Sequence, residues 1–352
     1  MNRKIKLSVK TSAQLIQPAT VARTSRERGL KRRERKNTIS TFDPDALECL
    51  AAIVEEGGFE RAAQRLSITQ SAVSQRLRAL ESQVGTVLIV RSRPLKATAA
   101  GRLLLKHTKM LRLLRADLER DLKEMAPSAL GGTREEERIS IAINADSIAT
   151  WALPALTLLA QQGLAMEIIA DDQDFTQEWL REGQVLGCVT TLSQALRGCK
   201  MVPLGAMDYV AVATPAFAAQ RLAAPARGAH ANAASLLTAH NFRDIPFVAF
   251  NRKDDMQTEF VGKAFGLKRV TLNQLFVPSS EGQVRAVMAG WGVSVMPRLL
   301  AGGLMAQGLL VDVAPCCMLP IQLYWHCWNL ESEVLDALTA ALTKAAAQSL
   351  VR

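Results

Sequence analysis

Apolar residues recur with helical spacing three times between Asp43 and Val84. Leu47, Leu50, Ala51 and Val54 form the first stripe, Ala62, Ala63 and Leu66 the second, and Val73, Leu77 and Leu80 the third. Asp43 and Pro44 open the first helix, an acceptor side chain at the N-cap followed by a residue with no N–H to satisfy. Gly57-Gly58 ends it. A second helix is expected from about Phe59 to Leu66, a tight turn at Ser67-Ile68, and a third helix from Gln70 to about Val84 capped by Thr69. Two short helices joined by a tight turn, the second beginning Thr-Gln-Ser, are a helix-turn-helix pattern. Val87–Pro94 then reads as a short hairpin or wing with Arg91 and Arg93 at its tip.

Thr98 can cap a long helix from Ala99 to about Met125. Leu104, Leu111, Leu118 and Met125 recur every seven residues, with Leu114 and Leu122 alongside and charged residues on the other faces. This is a short coiled-coil seam, which predicts a dimer. The alternative is an amphipathic helix packed on its own domain. Pro127, Ser128, Gly131 and Gly132 mark a hinge over 127–136.

Beyond the hinge, strand and helix patterns alternate. Arg138–Asn144, Ala165–Ala170 and Val185–Thr190 read as strands. Helices are expected from Ser147 or Thr150 to Leu159 and over Phe175–Arg181. That alternation predicts a parallel sheet with crossover helices. Asp208–Ala213, Phe247–Phe250, Leu309–Val313 and Ile321–Trp328 read as further strands, before a terminal helix over Glu331–Leu350.

Charge changes the picture at one end. Residues 1–40 hold twelve Lys/Arg and two acids, the whole formal excess of +10, and the other 312 residues hold 31 bases and 31 acids. The excess therefore belongs to a tail without hydrophobic periodicity, which predicts disorder. A phosphate-attracting arm, a dispensable extension from a misassigned start and an organelle transit peptide are the readings open for it. The tail has no apolar core like that of a secretory signal. No run of about 18 apolar residues predicts a membrane span, so a cytoplasmic protein is expected.

The remaining composition excludes several chemistries. The six cysteines show no C-x-x-C spacing and read as reduced thiols, adjacent Cys316-Cys317 included. The four histidines are far apart in sequence, so no metal site or cofactor is expected. No nucleophile elbow, P-loop, glycine-rich dinucleotide motif or H-E-x-x-H appears, so the chain is not expected to be an enzyme.

The third helix carries the chemistry of base reading. Gln70, Ser71, Ser74, Gln75 and Arg78 are polar: Gln pairs with adenine, Arg with guanine, and the Ser hydroxyls with the helix start (Thr69) suit phosphates. Arg91 and Arg93 of the wing can reach phosphate or the minor groove. Gly57–Glu81, G-G-F-E-R-A-A-Q-R-L-S-I-T-Q-S-A-V-S-Q-R-L-R-A-L-E, resembles the winged helix-turn-helix of LysR-type transcriptional regulators. V-R-S-R-P-L-K-A-T-A-A-G (Val90–Gly101) resembles their wing and linker-helix start, with Ile89 where many members have Phe.

The resemblance implies an α plus α/β fold. It comprises a winged helix-turn-helix (42–98), a linker and dimerisation helix (99–126), a hinge (127–136) and an effector domain (137–352) of two α/β subdomains, as in periplasmic binding proteins. Subdomain I would take about 137–213 and 315–352 and subdomain II about 214–314, with crossings near Thr214 and Ala314. It also implies an inverted-repeat site on double-stranded DNA, self-assembly as a dimer or tetramer, and RNA polymerase as a further partner.

Asn144–Leu156, N-A-D-S-I-A-T-W-A-L-P-A-L, resembles the arginine/lysine-responsive ArgP/LysG or chromosome-initiation-inhibitor-like branch. Gly205–Tyr209, Val248–Met256, Ser279–Glu281 and Leu323–His326 resemble it too. The effector implied is lysine or arginine, with control of basic amino-acid export and metabolism genes. Candidate effector residues are Asn144, Asp146, Ser147, Trp151, Thr190, Thr191, Asp254, Asp255, Ser280 and Glu281. Carboxylates would hold the cationic side chain, Trp151 would offer an aromatic face, and backbone N–H groups near Ser147 or Ser280 would hold the α-carboxylate. Structurally, Asp146 can be a cap, Asp254-Asp255 a solvated turn and Trp151 core. A solute-binding protein and a DNA-organising or origin-binding protein without small-molecule control are the competing functions.

Overall fold

A computed structural model describes residues 41–92, 94–125, 138–171, 176–222 and 236–351. The expected tail, the wing residue Arg93 and the hinge over 127–136 lie outside the described residues.

The helix-turn-helix forms as its caps dictate. Helix α1 (Pro44–Glu55) starts where the Asp43 carboxylate accepts from the Asp45 N–H at 3.1 Å. After α2 (Phe59–Arg65), Ser67 takes a left-handed φ of 54°, which turns the chain within two residues. Helix α3 (Gln70–Val84) begins with Thr69 Oγ1 accepting from the Ala72 N–H and ends at left-handed Gly85. Val73, Leu77 and Leu80 pack with Leu47, Leu50 and Ile53 of α1 and with Ala62 and Ala63 of α2. The wing is a two-stranded antiparallel hairpin of β1 (Ile89–Val90) and β2 (Lys96–Ala97).

Helix α4 (Ala99–Met125) spans 27 residues and starts with Thr98 Oγ1 accepting from the Gly101 N–H. Its heptad reading needs one correction. Leu104 is buried with Leu105 in the core of the winged domain, not on a seam. Leu111, Leu114, Leu118, Leu122 and Met125 are exposed, as is Leu103. Leu113 points the other way, into the core of the C-terminal region.

That region opens with β3 (Ile139–Asn144) and a continuous helical stretch. The stretch consists of α5 (Ala145–Ser147), a π-helical turn over Ile148–Ala152 and α6 (Leu153–Gln161). There follow β4 (Met166–Asp171), α7 (Thr176–Arg181), β5 (Gly187–Thr190), β6 (Cys199–Ala213) and α8 (Pro215–Phe217). Then come β7 (Pro246–Ala249), α9 (Met256–Phe265), β8 (Asn273–Phe276), α10 (Ser280–Met288), β9 (Ser294–Pro297) and α11 (Arg298–Ala306). The chain closes with β10 (Val311–Asp312), β11 (Leu319–Trp328) and α12 (Glu333–Ser349).

The main sheet has the order β10-β6-β11-β5-β3-β4, with β9 also pairing β6. The expected parallel sheet is present only at one end, where β3 pairs β4 and β5 in parallel. The rest is antiparallel: β11 runs between β5 and β6, and β6 takes β9 and β10 on its C-terminal half. Strand β6 begins at Cys199, nine residues before the predicted Asp208. Pro203 and Gly205 make that half read as a break, but they sit where the β6–β11 register shifts, and a bulge tolerates such residues.

Thr214 directly follows β6, and Ala314 lies between β10 and β11. A second lobe is built on the parallel pair β7–β8, with α9, α10 and β9 against it. The buried Gln257 amide clamps α9 to β9, donating to the Val295 carbonyl at 3.0 Å and accepting its N–H at 2.7 Å.

Candidate functional site

The first candidate surface is the outer face of α3. Ser71, Ser74, Gln75 and Arg78 fall away from the buried stripe of Val73, Leu77 and Leu80, and Gln70, on the stripe's side, is exposed because it is the first residue of the helix. All are exposed except half-buried Ser74. Gln70 Nε2 donates to Ser74 Oγ at 3.2 Å, and Thr69 Oγ1 shares a hydrogen bond with Ser71 Oγ at 3.0 Å. Exposed side-chain amides and a guanidinium at a helix start match what the edges of bases in the major groove offer. Arg91 at the wing lies over the Phe59 ring, 5.4 Å from its centroid, which ties the wing to α2. Its stem is thereby steered while its donors stay in solvent.

The second candidate is an open cleft lined by residues of both lobes, among them Asp146, Asp171, Tyr209, Phe250, Asp254 and Gln283. Each carboxylate is positioned differently. Asp146, in the first turn after β3, accepts from Tyr209 Oη at 2.7 Å and from Ser280 Oγ at 2.6 Å. Tyr209 belongs to β6 and Ser280 to the second lobe, so this carboxylate joins three elements. Burial pushes the Asp146 pKa up, the two hydroxyls pull it back, and the nearby Asp254 charge raises it again.

Asp171 ends β4, and Trp179 Nε1 of α7 donates to its Oδ2 at 2.9 Å. Asp254 builds the turn before α9, taking the Phe250 N–H on Oδ2 and the Met256 N–H on Oδ1, both at 2.9 Å. No lysine, arginine or histidine lines the cleft among the described residues.

The other sequence candidates divide. Asn144 and Ser147 are fully buried beside Asp146, and both polar atoms of the Asn144 amide and Ser147 Oγ find no hydrogen-bond partner among the described residues. Trp151 is 3 % exposed and packs in the main core. Thr190 is buried, donates to Gln177 Oε1 at 2.8 Å and lies at the end of β5; Thr191 follows it, half-buried. Asp255 and Glu281 are exposed and are not among the residues lining the cleft.

Asp171, Tyr209 and Gln283 were not read as candidates. Asp171 had a usable signal, since Asn144, Asp171 and Thr190 all sit at the carboxyl ends of parallel strands, where open α/β sheets bind ligands. Tyr209 closes the Gly205–Tyr209 segment that carries the family resemblance, but its approach to Asp146 depends on how β6 packs, and Gln283 had no signal because its place in the cleft depends on how α10 packs.

Comparison with known proteins gives a consistent set of matches. The family model described as bacterial regulatory helix-turn-helix protein, lysR family, matches residues 44–102. The model described as LysR substrate binding domain matches residues 132–347. The HTH-type transcriptional regulator ArgP of Aeromonas salmonicida is 40% identical over 294 residues, covering 83% of this chain and 93% of the relative. The crystal structure of ArgP from Mycobacterium tuberculosis superposes with a TM-score of 0.72 at 38% identity, over 89% of this chain and 99% of that one. Full-length LysG from Corynebacterium glutamicum with bound effector Arg gives a TM-score of 0.64 at 33% identity, over 88% and 100%.

Proposed function

The chain belongs to the LysR family of transcriptional regulators, related to ArgP and LysG, and from that premise we propose that it senses a basic amino acid, lysine or arginine, in the cleft around Asp146. It is a DNA-binding regulator; the family is not one of enzymes. The genes we assign to its control are those of amino-acid export or metabolism.

One observation carries the effector reading. Three carboxylates, Asp146, Asp171 and Asp254, line one cleft that no basic side chain lines among the described residues. An α-ammonium together with a cationic side chain answers such a site, whereas a neutral amino acid brings a single cation. The α-carboxylate is then best held by N–H groups at the start of α10, where the dipole favours an anion. The Gln283 amide, which lines the same cleft, adds polar atoms for the remaining hydrogen bonds. Arginine bound as effector in the related LysG agrees with this choice.

On the DNA side, Gln70, Gln75 and Arg78 read bases, and Thr69, Ser71, Ser74, Arg91 and Arg93 position the domain on phosphates and the minor groove. The exposed leucine stripe of α4 supports pairing of two chains, hence an inverted-repeat site. RNA polymerase is the partner of the DNA-bound form, in the cytoplasm.

A thermal-shift panel tests the effector reading with lysine, arginine, ornithine, histidine and leucine on the full-length protein. A ligand at about 100 times its Kd adds about 2.7 kcal/mol of stability. Stabilisation by lysine or arginine and not by leucine is expected. Equal responses to all five, or none, overturn the reading.

A further inference from the structure

Helix α4 is anchored in two cores at once. Leu104 and Leu105 are buried in the winged domain, and Leu113 is buried in the C-terminal core. Eight residues, about 12 Å of helix at 1.5 Å per residue, separate the two anchors. Between them Lys109 Nζ donates to the Gln184 carbonyl at 2.6 Å, in the turn between α7 and β5. The turn and the helix are in tight contact: a Cβ on Gly183, whose φ is +72°, would lie 2.7 Å from Lys106 Cβ and 2.9 Å from Lys106 Cα.

The same turn is bonded back to the cleft. The Gln184 N–H donates to the Trp179 carbonyl at 2.9 Å, and the Trp179 indole N–H donates to the cleft carboxylate Asp171. One turn along α4 from Lys109, Arg112 grips α1. Its Nε donates to Glu48 Oε2 at 2.9 Å and its Nη1 to Glu55 Oε1 at 3.0 Å, and Glu55 also takes Arg65 of α2 at 2.6 Å. The Arg112 side chain is only 12% exposed, so this clamp is not a loose surface pair.

We propose that the Gly183–Gln184 turn transmits the occupancy of the cleft to the DNA-reading helices of the same chain, through Asp171, Trp179, Gln184 and Lys109 to α4 and its Arg112 clamp on α1. The reading rests on the cleft being the effector site. A cation drawn to Asp171 competes with the indole N–H for its lone pairs. Any resulting shift of Trp179 is carried by one short helix to the turn, which packs backbone to backbone on α4. A helix anchored in two cores moves as a body, so α1 moves with it. Trp179 and Lys109 are positioning residues in this scheme and bind no base.

Hydrogen–deuterium exchange on the full-length chain, with and without saturating L-arginine or L-lysine, tests it. The variants are Trp179→Phe, which keeps the ring and removes the N–H, and Lys109→Met, which keeps the stem and removes the ammonium. In the parent protein the amino acid changes exchange near Asp146 and Asp171, and also in Lys106–Leu113 and α1, by about fivefold or more. Both variants retain the change at the cleft and lose it in α4 and α1, and the double variant loses no more than either alone. A full response of α4 in Trp179→Phe overturns the route.

If neither amino acid alters the cleft of the parent protein, the effector reading falls, and the ligand-free comparison decides the route. Both variants must then speed exchange in Lys106–Leu113, and unchanged exchange overturns the proposal.

Discussion

Asp146 ties a structural role to the proposed effector site. Its carboxyl bridges Tyr209 and Ser280 across the lobes, yet burial raises its pKa above the ordinary 3.8. A raised folded-state pKa means the protonated form is favoured in the fold. The associated stability is complete below the ordinary value and is lost as pH rises through the raised one. Asp146→Asn removes that charge while keeping both hydroxyl partners. The ligand-free variant is therefore expected to melt above the parent at about pH 8, with the difference shrinking towards about pH 4. Its affinity for arginine or lysine falls by about 10–100-fold, the worth of one charge-assisted hydrogen bond. Calorimetry across pH, with and without ligand, checks both. On α3, Arg78→Ala is expected to cost about 1–3 kcal/mol of discrimination at one base position if Arg78 reads guanine, whereas a phosphate contact would weaken all sequences alike. Competition binding against single-base variants of a bound site separates the two.

At the scale of elements, α4 is where a local pattern met a tertiary decision. Its start at Ala99 follows from the Thr98 cap. Its heptad was legible too, but Leu104 was taken by the winged domain because Gly101 lets the helix lie directly on the wing. A Cβ at Gly101 would stand 2.2 Å from the Leu88 carbonyl oxygen. Gly101→Ala is therefore expected to destabilise by about 1–3 kcal/mol through overpacking. Gly303→Ala in α11, where a Cβ meets nothing within 4 Å, should gain up to about 1 kcal/mol from helix propensity. Urea titrations of the two variants, made in parallel, test whether room and not glycine itself decides the sign. Strands β8 and β9 and helices α9 to α11 were not read from the sequence. They are short, and β9 (Ser294–Pro297) is buried along its whole length, so neither a period of two nor of 3.6 marks it.

For the whole molecule, the stripe Leu103, Leu111, Leu114, Leu118, Leu122 and Met125 stands exposed on one chain, between about 40% and 80% accessible. Scattered exposed leucines are ordinary, but an aligned row of them on one long helix is the surface on which the proposed pairing of two chains rests. Leu118→Glu places a charge in the middle of that row. Sedimentation is expected to show a shift towards smaller species, with DNA affinity lost in parallel because two half-sites are no longer engaged together. An unchanged oligomer would assign the pairing to another surface.

The sequence by itself determined the helix-turn-helix, its caps and the polar outer face of α3, the wing, the start of α4 and the alternation at the start of the C-terminal region. These depend on contacts between residues close in the chain, so local propensity, capping and periodicity encode them. It also marked Asp146, Ser147, Asn144 and Asp254 through motif resemblance. Only the tertiary structure decided that the sheet is mixed, because the pairing of β6 with β11 joins residues more than a hundred positions apart. It alone decided which acids face the cleft: Asp171 and Asp254 line it while Asp255 and Glu281 stay in solvent. Adjacent residues in a turn or a first helical turn share composition but point in different directions. Their direction is fixed by what packs beneath them, which no local pattern records.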